Sequence, residues 1–218
     1  MATVEQKLLE AGHANDVAEV KRILERNLDV NVNWEEGPGW PVLLTASDDG
    51  HSEVVKLLLA RKDIHVNLQR AYSSMNRAAL HHACNRGHIE VAKLLLADLR
   101  VDATLTSELG FTPLHDACNN GHLHVVKWLI ASGKDLNHKA TAKYWDYTKD
   151  PAVRRERTAM ETAVHLEYSE IGSLLQRFEN DQEKTRHEVR IELGLHGDLV
   201  AELFALTVFL CDDFFDCE

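Results

Sequence analysis

A pattern that recurs three times in nearly equal steps constrains the fold of this 218-residue chain more than any other feature. In each copy, a leucine stands seven residues and an alanine four residues before the glycine of a glycine–histidine pair; the pairs are Gly50-His51, Gly87-His88 and Gly121-His122. Each pair is followed by an aliphatic run, EVVKLLL, EVAKLLL or HVVKWLI. The helical period on both sides of a turn predicts two short helices per copy. Recurrence at this length predicts a stack of similar units.

Two weaker copies flank these three. Leu8, Ala11 and Asn15 keep the spacing of the first, and Thr158 begins the last, in which Glu167 takes the glycine position. The five anchor positions lie 35, 37, 34 and 46 residues apart. Terminal units of a stack commonly depart from the pattern. The sequence therefore predicts five repeats, at approximately residues 4–33, 37–69, 74–105, 108–138 and 154–178, with a long hairpin insertion at 138–157.

The copy between Gly110 and Asn137 is the most complete. Thr112 can cap a helix and Pro113 suits its first turn, and the stretch continues through TPLHDA, a glycine–histidine pair and a DLN triplet. These residues resemble a full ankyrin repeat, whose signature is T-P-L-H-x-A and whose period is about 33 residues. The resemblance extends over roughly residues 4–178 and implies an all-α ankyrin-repeat solenoid, in which helix-turn-helix pairs are joined by interrepeat hairpin loops.

Two features depart from the family's pattern. Asp63 and Arg100 stand where ankyrin repeats usually have a glycine, so we expect the helices before them to end differently. The second repeat has PVLL, from Pro41 to Leu44, in place of TPLH. The usual threonine and histidine hydrogen bonds are therefore not expected there.

The repeat pattern ends at Phe178, and residues 179–218 are predicted to form a helical C-terminal cap. Thr185 and Glu188 fit a capping box at the start of a helix. Gly194 suits the end of the same helix.

A second, very apolar helix is predicted to begin after Asp198 and to reach about Cys211. It is too short to span a bilayer. We expect it to cover the apolar face that the last repeat leaves open. A partner-binding helix is the alternative.

The cysteines and histidines are candidate reactive or metal-binding groups, but the repeat register favours structural roles. Cys84 and Cys118 share one repeat position, next to the alanine, so we expect buried, inert thiols. The resemblance implies that the T-P-L-H histidines bond neighbouring loops and that the glycine–histidine histidines brace the turns; these are His81 and His115, and His51, His88 and His122. A zinc site at His122 and His124 would need three or four converging ligands, so neither a metal nor another cofactor is predicted.

Composition and missing motifs argue against several functional classes. The net charge of −11 opposes binding to nucleic acid. The sequence has neither the apolar core of a secretory signal nor a run of about 18 apolar residues, so a monomeric cytoplasmic protein is predicted, with the nucleus also compatible. It has no GxSxG, P-loop, GxGxxG or HExxH motif, and Asp48 and Asp49 are interpreted as solvated turn residues. We therefore expect that the protein is not an enzyme.

The resemblance implies a function in protein binding, on the concave surface of the stack. Partners are then contacted by hairpin tips and by exposed positions of each first helix. The helix positions are Thr45, Asp48, His82, Asn85, Asp116, Asn119, Thr162 and His165. The residues at the hairpin tips are Trp34, Trp40, Arg70, Tyr72, Met75, Tyr144, Trp145 and Tyr147. We expect a non-catalytic scaffold or interaction module with a protein partner.

Aromatic and basic residues indicate the chemistry of that partner. Tyrosine and tryptophan are enriched in binding hot spots, although a long hairpin can instead pack its aromatics onto the repeat body. The stretch from Lys139 to Arg157 carries a charge of +3 on an otherwise acidic protein, which favours an acidic or aromatic-anchored peptide. An ordinary solvated loop is the alternative.

Two other functional classes remain open from the sequence. Ankyrin proteins can be hydroxylated at the asparagine of a D-V-N motif, and Asn31 and Asn137 match that local pattern. The chain would then be a regulatory subunit or a substrate of a modifying enzyme. The remaining class is an unrecognised enzyme, which a deep polar pocket would distinguish from a binding module.

Overall fold

The helical pairs predicted from the repeats are present in a computed structural model, which describes residues 2–35, 39–69, 76–146 and 153–195. The helices are α1 (Val4–His13), α2 (Val17–Arg26), α3 (Val42–Asp49), α4 (Ser52–Leu59), α5 (Ala79–Arg86), α6 (Ile89–Ala97), α7 (Pro113–Asn119), α8 (Leu123–Ser132), α9 (Ala159–His165), α10 (Ser169–Asn180) and α11 (Gln182–Glu192). The long insertion forms an antiparallel pair of strands, β1 (Ala142–Asp146) and β2 (Val153–Arg157). The predicted all-α class is confirmed, with this hairpin as its small sheet.

Local chemistry explains where the short helices begin. Thr3, Thr112 and Thr158 cap α1, α7 and α9, each accepting a bond from the backbone N–H three residues on. In each case the side chain at that third position, such as Glu161 in α9, bonds back to the cap, which completes a capping box.

The first helices α1, α3, α5, α7 and α9 pack in one row, and the second helices α2, α4, α6 and α8 pack in another. The repeated leucine and alanine of each unit lie between them and are buried, as with Leu80 and Ala83. The fifth unit departs from this order, because α11 folds back along α10 and packs against α8. One continuous apolar seam therefore runs along the stack and is closed on the second-helix side by α11.

Cationic side chains tie the end of each second helix to the next unit. The carbonyl groups at such an end lack helical partners and carry partial negative charge. The bonds run from Arg61 to Leu28 O (2.8 Å), from Arg100 to Leu59 O (2.7 Å), from Lys134 to Asp98 O (3.0 Å), and from Arg186 and Arg190 to Ile130 O (3.3 Å) and Ala131 O (2.8 Å). The expectation that the helices before Asp63 and Arg100 end without a glycine is confirmed.

The histidines have the structural roles that the resemblance implied. His51, His88 and His122 donate from Nε2 to carbonyl oxygens of the preceding unit, at 2.8 to 3.1 Å. His81 and His115 donate to the carbonyl oxygens of residues 111 and 157 at 3.0 and 3.3 Å. Burial lowers the pKa of both His81 and His115 to about 4, so both rings are neutral and act as fixed hydrogen-bonding groups.

Each turn glycine is covered by the next unit. Gly50 and Gly87 have φ of 79° and 75°, and the rings of His88 and His122 lie directly over them. Tyr168 covers Gly121 in the same way. Glycine at these positions therefore serves both a left-handed backbone and a close approach between repeats.

Substituting Gly87 by alanine should lower the free energy of unfolding by about 2 to 4 kcal/mol, because a left-handed alanine is strained and its Cβ displaces a packed ring. The added Cβ would lie 2.7 Å from His122 ring atoms. Gly194→Ala is a matched control, since Gly194 has φ of +73° but nothing within 4 Å of an added Cβ. Denaturant unfolding should give this control only the conformational cost, about 1 kcal/mol. Equal losses in the two variants would contradict the packing role of Gly87.

The C-terminal predictions have mixed outcomes. The proposed capping box at Thr185 is wrong, because α11 begins at Gln182 and Asp181 caps it by accepting from Lys184 N at 3.0 Å. Gly194 follows the helix end with a left-handed φ, as predicted. The apolar helix predicted for residues 198–211 lies outside the described residues. Within the described ranges, no helix combines the length and apolar character that crossing a membrane requires.

Candidate protein-binding face

The first helices and the residues directly before them form one surface, which we call the first-helix face. Three side chains predicted to be exposed there are buried: His82, Asp116 and Thr162 are 3%, 0% and 1% exposed. The prediction of exposure is therefore wrong for these three positions. The cause lies in the preceding repeat, which supplies a covering side chain in each case.

The covering contacts follow one rule along the stack. The ring of Trp40, just before α3, lies 4.4 Å from that of His82 in α5. Arg77, just before α5, bonds Asp116 in α7 at 2.6 Å. The third contact passes through the hairpin: the rings of Phe111 and Tyr144 lie 4.8 Å apart, and Tyr144 Oη lies 2.9 Å from Thr162 Oγ1 in α9. These contacts form an interlocked row that joins four repeats.

Asp48 is held in a cluster rather than solvated. His82 Nδ1 and the Arg86 guanidinium donate to its carboxylate at 2.9 to 3.0 Å, and its side chain is 15% exposed. Burial alone would raise the pKa of Asp48, but the bonds from His82 and Arg86 hold it well below its usual range. The interpretation of Asp48 as a solvated turn residue is wrong, whereas its neighbour Asp49 is exposed and lies 3.1 Å from His13.

Arg77 and Asp116 form the buried ion pair of the row. Burial raises the pKa of Asp116 to about 7, although the Arg77 guanidinium and the Asn85 amide oppose that shift. Four buried polar atoms near this row have no hydrogen-bond partner among the described residues: Ser47 Oγ, Arg77 Nε, His82 Nε2 and Asp116 Oδ2. The row thus retains unused hydrogen-bonding capacity at three successive first helices.

The remaining predicted helix positions stay accessible. Thr45, Asn85 and Asn119 are partly exposed, and His165 is exposed. Of the predicted tip residues, Trp34 and Trp40 are partly buried. Arg70, Tyr72, Met75 and Tyr147 lie outside the described residues.

The hairpin separates its two described aromatics. Tyr144 faces the repeat body through Phe111 and Thr162, and burial raises its pKa to about 12. Trp145 points to the opposite face, where it is 48% exposed and the Arg154 guanidinium lies 4.8 Å from its ring centroid. The alternative of aromatics packed on the body therefore holds for Tyr144, and an exposed cation–π pair is found at Trp145.

The thiols predicted to be inert are fully buried. Cys84 and Cys118 are both free cysteines, and burial raises the pKa of each thiol well above its usual value. Reaction as a thiolate is therefore unfavourable at both. In the part of the chain that is described, no three histidine, cysteine or acidic side chains are grouped to hold a metal ion.

The structure also locates the candidate modification sites. Asn31 and Asn137 are both exposed. The asparagines that bridge one repeat to the next are Asn33 and Asn67, which bond the loops at residues 63–65 and 100–102. In the first repeat the equivalent of Asn67 is therefore Asn33, one register step beyond Asn31.

Comparison with known families agrees with this architecture. The family model described as ankyrin repeats (3 copies) matches over residues 8–107, 43–140 and 99–187. The predicted ankyrin solenoid is confirmed by these matches together with the helical pairs. No curated protein matches the chain significantly. Ankyrin repeats are in general protein–protein interaction modules and are typically non-catalytic.

Proposed function

Because this chain belongs to the ankyrin repeat family, we propose that it is a non-catalytic interaction module that binds a partner protein on its first-helix face and hairpin tips. The partner presents an acidic or aromatic-anchored peptide. The protein performs this function as a monomer in the cytoplasm.

The observation that carries the proposal is the interlocked row of Trp40–His82, Arg77–Asp116 and Phe111–Tyr144–Thr162. Its contacts bury side chains that would otherwise be mobile on the surface. A partner docking on this row meets groups that are already ordered, so less conformational entropy is lost on binding. The unpartnered polar atoms beside the row add hydrogen-bonding capacity for a peptide backbone or side chain.

The exposed stack of Arg154 on Trp145 supports the same proposal at the hairpin. Tryptophan and arginine are the residue types that most often dominate binding energy at interfaces. The stack is ordered by the β1–β2 pairing beneath it. An acidic or aromatic side chain of a partner can contact both members at once.

Affinity capture from cell extract with the full chain tests the proposal. The double variant Asn119→Arg, His165→Arg adds bulk and charge at accessible positions of α7 and α9. We expect it to reduce recovery of a specific partner about tenfold or more, which corresponds to roughly 1.4 kcal/mol or more of binding free energy. The control Glu53→Arg, Glu90→Arg makes changes of similar size on exposed positions of α4 and α6 and should leave recovery unchanged.

Two results would contradict the proposal. One is that no protein is recovered specifically by the unmodified chain. The other is equal recovery by the two double variants, which would place the binding surface on neither the first helices nor the second. Thermal unfolding of each variant verifies that the stack is intact.

A further inference from the structure

The interrepeat loops are bonded to one another in a series that reaches the hairpin. Gln69 Nε2 donates to Thr106 O at 2.9 Å in the next loop. That loop in turn receives a bond from the hairpin, since Lys143 N donates to Leu109 O at 2.8 Å. The outer edge of β1 is therefore occupied, and β2 stands at the end of the series.

The same bond determines which backbone groups of β2 point outward. Lys143 lies opposite Glu156, and Trp145 lies opposite Arg154. Because Lys143 N points away from β2, and bonded pairs alternate along an antiparallel ladder, Arg154 and Glu156 direct their N–H and C=O groups away from β1. Neither residue has a backbone partner for these groups among the described residues.

The side chains along this edge are basic. Arg154 and Arg155 are exposed, and Arg157 lies over the Tyr144 ring at 5.6 Å. Opposed residues share a face of the sheet, so Arg155 and Arg157 lie on the Tyr144 face, whereas Arg154 lies with Trp145 on the other. Charge is thus concentrated on one face and an aromatic surface on the other, within a protein of net charge −11.

We propose that the outer edge of β2 is a strand-addition site for an extended acidic segment of the partner protein. This inference rests on the proposed function and assigns the partner's chemistry. The added strand bonds the outward backbone groups of Arg154 and Glu156. Its acidic side chains, at every second position, lie on the face of Arg155 and Arg157, and its apolar side chains lie on the face of Trp145. Backbone bonds provide affinity and the alternating side chains provide specificity.

A short synthetic peptide of alternating glutamate and valine is the probe, and a peptide of alternating lysine and valine is its control. Fluorescence anisotropy with the full chain should detect binding of the first and not of the second. N-methylation of one alternate set of glutamate/valine amides should abolish binding, whereas methylation of the other set should leave it intact. That parity is the signature of a strand bonded along one edge. Equal binding of the two methylated peptides, or no binding of the unmodified one, overturns the proposal.

Variants of the protein give a second test. Arg154→Pro removes an outward donor without removing a bond to β1 and should weaken peptide binding about tenfold or more. Arg154→Gln keeps that donor and should weaken binding less than the proline does. Arg26→Glu, at an exposed position of α2, is the remote charge control and should not change it. A proline variant that binds as tightly as the unmodified chain overturns the proposal.

Two further outcomes separate this inference from its neighbours. If the capture experiment recovers a partner through Asn119 and His165 while the glutamate/valine peptide does not bind, the interaction module stands and strand addition is wrong. The chain also ends in an acidic stretch that lies outside the described residues. If neutralising Asp212, Asp213, Asp216 and Glu218 tightens peptide binding, the edge is held by the chain itself and its assignment to a partner is wrong. Unchanged affinity supports the partner.

Discussion

Replacing Arg77 with methionine is expected to lower the free energy of unfolding by about 3 to 5 kcal/mol near pH 9, because it leaves a buried carboxylate without its cation. Asp116 is fully buried and Arg77 contacts it at 2.6 Å. Chemical denaturation followed by circular dichroism measures the loss. The effect is large because the charge must be either desolvated or neutralised by protonation.

The pH dependence provides the control for this variant. Burial raises the folded-state pKa of Asp116 to about 7, above its ordinary 3.8. A raised carboxyl pKa contributes stability below the unfolded value, and that contribution is lost as the pH rises toward the folded value. Near pH 5 the folded protein and the variant both carry a protonated Asp116, so the difference between them should shrink. A loss that does not depend on pH would contradict the buried ion pair.

A double variant tests whether the pair is needed for stability. A buried ion pair can often be replaced by apolar side chains of similar size without loss. Arg77→Met combined with Asp116→Leu should therefore recover most of the stability lost by Arg77→Met alone. A double variant as unstable as the single one would mean that the loss arises from packing around Arg77, not from the unpaired charge.

Replacing Leu114 with alanine is expected to cost about 2 to 5 kcal/mol, because it removes buried methyl groups and leaves a cavity. Leu114 is 1% exposed and lies in the α7 position where every repeat places a leucine or methionine. Trp128 in the same repeat is 7% exposed, so its fluorescence reports unfolding of that unit in denaturant. The effect should be large because both neighbouring repeats pack against this seam.

Leu99→Ala is the matched control for Leu114. Leu99 is 67% exposed after α6, so its truncation removes little buried surface and should change stability by less than about 0.5 kcal/mol. Equal losses at the two positions, or a loss near zero at Leu114, would contradict the assignment of Leu114 to the core.

The errors made from the sequence share one physical cause. His82 and Asp116 occupy a helix position that is usually open, and local pattern gives no indication of burial there. Their burial depends on Trp40 and Arg77, each supplied by the preceding repeat. The failed capping box at Thr185 has a different origin, because Asp181 is an equally good cap one turn earlier and capping signals alone do not choose between them.

By itself the sequence determined the repeat unit: the helix pairs, the left-handed turn glycines, the buried thiols and the bracing histidines. These features depend on helical period, on backbone preference at single residues and on a register shared by all units. Only the tertiary structure decided which polar side chains of the first helices are buried, how α11 closes the seam, and which edge of the hairpin stays open. Those outcomes depend on contacts between repeats, where the partner of each side chain stands a whole unit away along the chain.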